Sequence, residues 1–379
     1  MKKRLRRGAA LRKTCVVPIS FDTLVARSIW CVLALGAAAG SSLLAATPPR
    51  YSLQETTTAE KIPLIVLRDE TSRLEAAVAP TQGGELSGLA VEFEGRWVEL
   101  LYRGRDYKTA PGFRGKASIL WPAVGSSVPA KATQVNGRIE SAYDYQGKRF
   151  PMPQHGFARL KPWQVVRTWA NEVEAAVELV LPDDADTRTQ YPFGFAVHVI
   201  YRVSEGRVEI HHEVKASADN AAPMFFSIGN HIGFAVPLVA GSSTEAITVE
   251  SPSRFEYLRG KNGAPDGTTR ERSFRPSTPL GKLRFVPAMS VGGYHGDPWF
   301  QLSDAGGLGV RVTHHAQSTP APPFVQFNLW GGTAEGYFCP EPIVGLHNSL
   351  NTQTGQVNLA PGKSWRWQIR VEPGRSAGR

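Results

Sequence analysis

Three short segments of the chain gather rare polar side chains among aromatics and glycines. MPQHGFARLKPW holds His155, Arg159 and Trp163; FFSIGNHIGF holds Asn230 and His231; FCPEPIVGLHNSLN holds Glu341, His347 and Asn348. A histidine at a strand end followed by glycine suits a ligand loop. Glu341 sits between two prolines after an apolar run, and partial burial there would raise its proton affinity toward that of a general base. Taken singly, each also has a structural reading: a core or solvated histidine, a carboxylate capping a turn. The pairs His211–His212 and His314–His315 look metal-like, but neighbours along a strand point to opposite faces and do not easily share an ion. No H-x-x-x-H, cysteine cluster, P-loop, G-x-G-x-x-G or G-x-S-x-G accompanies them. The expectation is acid–base chemistry with no metal and no cofactor.

The elements that must position these groups read as strands. IPLIVLRD and SRLEAAVAP form an opening hairpin, and Val173–Leu181 is a further strand. GFAVHVIYRVSEGRVEIHHEVKA reads as two alternating strands joined near Ser204–Gly206. Further strands are expected at 246–250, 282–287, 298–303, 308–314 and 324–330, and 259–280 as a surface insertion or lid. After Ala46 nothing carries a helical apolar stripe of three turns. Strands without intervening helices predict an all-β fold, a large antiparallel β-sandwich, as one domain over 50–375.

The 379 residues carry a formal charge of +10, which at first suggests nucleic acid. Its distribution argues otherwise. Residues 1–46 hold eight basic side chains against Asp22 alone, so the remainder carries only +3 and has no long basic run. A basic stretch precedes the apolar, small-residue run Ile29–Ala46, which reads as a signal peptide or an N-terminal membrane anchor. The protein is therefore expected to be exported, periplasmic or extracellular, with membrane contact only through this leader if it is uncleaved. Cys15 and Cys31 lie in the leader, leaving Cys339, read as buried wall. No apolar stripe declares an oligomer.

With these residues in view, the chain resembles the aldose 1-epimerase (galactose mutarotase) family. The resemblance runs from about Ile62 to Glu372. Its landmarks are TQGGELSGLAV, HGFAR followed by Trp163, YPFGFAVHVIY, IGNHIGF, CPEP and LAPGKSWRW, in that order. It implies a galactose mutarotase-like supersandwich with a sugar in an open cleft on one sheet. It also implies that Glu341 takes the C1 hydroxyl proton, His231 protonates the ring oxygen, and His155 binds near the ring. Arg159, Asn230, Trp121 and Trp330 are the expected sugar contacts beside them. The aspartate of the family's G-[YF]-D-H segment has its nearest match in GGYHGDPWF, which points to His295 or Asp297. Ser126 and Ser127 stand where relatives often carry arginine or asparagine, so the sugar is open and need not be galactose or glucose. The expected partner is a free sugar or a glycan end. The competing reading is an exported, non-catalytic carbohydrate-binding protein whose cleft is lined by Trp121, Trp163, Phe234 and Trp330. A hydrolase would call for a second carboxylate about the same bond, which Glu341 does not clearly have.

Overall fold

The structure is a computed structural model. It describes residues 48–376 except 104–115, 136–137, 261–263, 286–287, 333 and 335. The expected leader lies outside the described residues. Among the described residues no helix is long and apolar enough to cross a membrane.

The clearest sequence expectation is met in the hairpin Phe195–Ser204 and Arg207–Ala216, whose first strand alternates buried and half-buried residues without a break. Glu205 and Gly206 turn it with φ of 48° and 72°, the left-handed pair that lets a two-residue turn follow the strands' twist. The opening hairpin forms as Pro63–Asp69 paired with Leu74–Ala79. Two large antiparallel sheets result among the described residues, one of twelve strands and one of nine. Their facing sides share one apolar core that includes Ile119, Trp121, Ile232, Phe234, Val197 and Ile210.

Two expectations fail. The stretch 259–280 contains a strand, Pro265–Glu271, that pairs with Phe255–Arg259. Its residues are mostly exposed, so an edge strand with one wet face gave no apolar alternation to read. The strand expected at 282–287 is absent from the described part, where Leu280–Lys282 is a short 3-10 turn. A six-residue helix, Ala185–Gln190, begins at Asp184, whose side chain and that of Thr187 close a capping box.

One row of side chains crosses the twelve-stranded sheet on the face turned away from the core. Leu86 pairs with Ala117, and Ser118 pairs with His231. Gly229↔Ile343 and Phe234↔Phe338 set His231 opposite Glu341. Glu341 pairs with Asn328, and Asn328 with Ser290. Glu85, Ser118, His231, Glu341, Asn328 and Ser290 therefore lie side by side, across about 24 Å at ordinary strand spacing.

Candidate active site

The centre of the row is the pair contributed by Ile228–Ala235 and Tyr337–Gly345. His231 Nε2 lies 3.3 Å from Glu341 Oε1. The same oxygen accepts from Asn328 Nδ2 at 3.2 Å. Glu341 Oε2 is buried with no hydrogen-bond partner among the described residues. Glu341 is 1% exposed and His231 8%, so each charged form loses most of its hydration. Burial pushes the Glu341 carboxyl up to about 8 against the opposing pull of Asn328 and Arg259. Burial likewise draws His231 down to about 4. Near pH 7 one proton therefore rests mainly on the carboxyl and the imidazole is neutral.

His155 reaches the pair from a loop. Its ring meets that of His231 edge-on, centroids 5.7 Å apart. Gly125 N–H donates to its Nδ1 at 3.1 Å, and its own N–H donates back to the Gly125 carbonyl at 2.8 Å. An accepting Nδ1 leaves the proton of the neutral ring on Nε2. His155 itself has φ of 66°, a left-handed conformation uncommon for a residue with a side chain. The loop is locked by Gly156, where an added Cβ would come within 2.1 Å of the Trp121 carbonyl oxygen. Burial, then His231, His347 and Arg159, hold the His155 pKa well below its ordinary value.

Arg159 leaves the short turn Ala158–Leu160 and donates Nη2 to the Gln154 carbonyl at 3.0 Å. Its Nε is buried without a partner among the described residues, and its charge is felt by both His155 and His231. Trp330 lies two residues along its strand from Asn328, hence on the same face, and is half-buried. It is placed as a wall beside the row.

Four expected contacts are not brought to this face. Trp121 is fully buried in the core among Phe157, Tyr191, Phe195 and Phe226. Strand parity is the reason: Ser118 faces the row, so Ile119 and Trp121 face the other sheet. Asn230 fails for the same reason, since it neighbours His231 and pairs with the core residue Ile119. His295 and Asp297 lie in an exposed turn, where His295 bonds Arg254 at 3.1 Å and Asp297 bonds His315 at 2.7 Å. Of the aromatic lining expected of a binding protein, Trp330 alone faces the row: Trp163 and Phe234, at 3% and 0% exposure, are core like Trp121.

The row supplies residues that sequence reasoning missed. Asn328, Ser290 and Arg259 gather beside Glu341; Ser118 and Glu85 flank His231, with Ser118 Oγ donating to Glu85 Oε2 at 3.0 Å. Burial raises Glu85 to about 7 despite Lys116 Nζ at 3.8 Å. These residues come from separate strands, and no local motif announces them. His347, flagged by its segment alone, is 7% exposed and packs against Gly125 beneath the His155 loop. His211 and His212 do take opposite faces, His212 stacking on Trp367 in the core and His211 bonding Glu209.

The comparisons agree with this architecture. A galactose mutarotase-like protein from Clostridium acetobutylicum superposes with a TM-score of 0.65 at 17% identity, covering 86% of this chain and 99% of that one. A galactose mutarotase related enzyme from Lactobacillus acidophilus gives 0.64 at 18%, covering 86% and 98%. Galactose 1-epimerase from Lactobacillus acidophilus NCFM gives 0.62 at 14%, covering 87% and 100%. At these identities the likeness shows the fold. A comparison with curated proteins gives no match. The family model for aldose 1-epimerase matches residues 67–372, nearly all of the two-sheet body and every residue of the polar row, and the chain belongs to the aldose 1-epimerase family.

Proposed function

We propose that this protein is an exported aldose 1-epimerase that interconverts the α and β anomers of a free aldose. The observation that carries the reading is the pairing of Glu341 with His231, a carboxyl and an imidazole 3.3 Å apart and both buried. Ring opening needs a proton taken from the C1 hydroxyl and one given to the ring oxygen. The C1–O5 bond breaks, C1 becomes an aldehyde, and rotation about C1–C2 before closure yields the other anomer. No net proton is gained or lost, so a pair holding one proton between them suffices. In the assignment that the family resemblance suggests, ionised Glu341 takes the hydroxyl proton through Oε2, the oxygen with no hydrogen-bond partner among the described residues, and His231 supplies the ring oxygen. Before sugar binds the proton sits on the carboxyl, and the Oε1–Nε2 contact is the route by which it reaches the imidazole. His155 Nε2–H is a donor that favours charge developing on the opening ring, and Trp330 is a face for the sugar's C–H groups. Chemistry of this kind asks for no cofactor and no covalent intermediate. Export rests on the basic and apolar character of residues 1–46.

Anomer exchange followed by NMR across a panel of free aldoses tests the reading. The protein should exchange one or more sugars faster than buffer alone. Glu341→Gln and His231→Asn should each lower that rate by about 10²–10⁴-fold, the usual weight of one acid or base. Exchange at the buffer rate in a protein that still binds sugar would leave the site a binding cleft.

A further inference from the structure

The amide of Asn328 is oriented by its neighbours. Ser290 Oγ donates to Oδ1 at 3.0 Å, and Arg259 Nη2 reaches the same atom at 3.3 Å. A guanidinium only donates, so the atom facing it is the amide oxygen. Nδ2 is thereby turned toward Glu341, where it holds Oε1 at 3.2 Å. Arg259 is itself anchored, Nε donating to the Ala288 carbonyl at 2.7 Å and Nη2 touching Ser290 Oγ at 3.3 Å. The chain of contacts thus runs from Arg259 at the end of one strand, across Ser290 and Asn328 on the next two, to the carboxyl.

We propose that Arg259 is a positioning residue for this site: acting through Asn328, it ties down Oε1 of Glu341 and leaves Oε2 as the oxygen that exchanges a proton with the substrate. This rests on the reading of Glu341 and His231 as an acid–base pair. If Asn328 were free to flip, its carbonyl would face the carboxylate, and the carboxyl would lose the amide donor that holds Oε1. Arg259 also acts through its charge, which favours the ionised carboxylate. The other titratable groups around Glu341 are His231 opposite, Cys339 on the same strand face, and His155, His347 and Arg159 beyond them. Charge and direction are separable, because lysine keeps the first and lacks the planar fork that supplies the second.

The experiment compares the full chain with Arg259→Gln, Arg259→Lys and the gentler Ser290→Ala, each first shown to melt cooperatively. Two readouts need no activity: the titration of the Glu341 carboxyl carbon, and the exchange rate of the Asn328 side-chain amide protons, both by NMR. The third is kcat and KM for anomer exchange. Arg259→Gln should raise the Glu341 midpoint by about one pH unit. Both Arg259 variants should speed Asn328 amide exchange about tenfold or more, and lower kcat about tenfold with KM changed less than about threefold. Arg259→Lys should restore the midpoint alone, and Ser290→Ala should move the amide exchange in the same direction by less. Unchanged Asn328 exchange in both Arg259 variants would overturn the proposal, as would Arg259→Lys restoring kcat together with the midpoint. A wild-type protein without anomer exchange would sink the proposed reaction, while the amide and titration readouts would still decide the role of Arg259.

Discussion

His231 Nε2 and Glu341 Oε1 face each other at 3.3 Å, and burial moves their proton affinities in opposite directions, to about 4 and about 8. The two values belong to the pair as a unit, since each group titrates in sight of the other. Below the lower value both carry a proton, and above the upper value neither does. Only the singly protonated pair can give one proton and take another. The profile of kcat/KM against pH in the free enzyme should therefore be a bell, falling below about pH 4 and above about pH 8. Rates of anomer exchange corrected for buffer at each pH check this. A profile that keeps rising through pH 9 would separate activity from this pair.

Gly156→Ala should be severe although glycine 156 touches no substrate. Its φ is 72°, and a Cβ there would lie 2.1 Å from the Trp121 carbonyl oxygen. The backbone must move, and with it the contacts that hold His155 to Gly125. We expect about 3 kcal/mol of lost stability, with anomer exchange reduced in whatever fraction remains folded. Denaturant melts and rates on the soluble fraction give both.

Trp121→Ala and Trp330→Ala should separate core from cleft. Trp121 is wholly buried, and its loss should cost about 3–5 kcal/mol. Trp330 is half-buried on the row's face, and its loss should weaken sugar binding several-fold with little effect on the melt. Paired melts and sugar titrations are the measurement. Equal loss of stability in both would mean that Trp330 is packing and not a wall.

Acid should reveal Asp69. Burial alone would raise its pKa, but hydrogen bonds from Arg50, Ser72 and Gly206 win and hold it at about 2. A carboxyl depressed in the folded state contributes stability above its unfolded pKa and loses it as pH falls through the folded one. The contribution, about 2 kcal/mol near neutral pH, should fade from about pH 4 toward pH 2. Asp69→Asn should lower the neutral-pH melt and flatten this part of the stability curve.

The fold was legible where physics is local. Alternation in 195–216 and a Glu–Gly turn specify a hairpin from its own residues, and the succession of strands without amphipathic helices specifies sandwiched sheets. The strand 265–271 escaped because its exposed side chains break the alternation. Within the site, the residues lying inside unusual segments were readable and brought together: Glu341, His231, His155 and Arg159. Trp121 and Asn230 were misread because composition drew attention to them while strand parity turned them to the core. Arg259, Ser290 and Asn328 were invisible because each is an ordinary residue on its own strand. Only the cross-strand register makes them neighbours.

That register makes the sheet a ruler for the chemistry. Each member of the polar row is supplied by a different strand, so no loop movement can rearrange the centre and no single segment can carry it to another fold. One residue inserted between Ile228 and His231 would present the Asn230 amide where the imidazole stands and drive the imidazole into the apolar interior. Length changes in these strands should therefore be far rarer among working descendants of this sequence than substitutions at the row's outer end, where Glu85 lies two strands from His231.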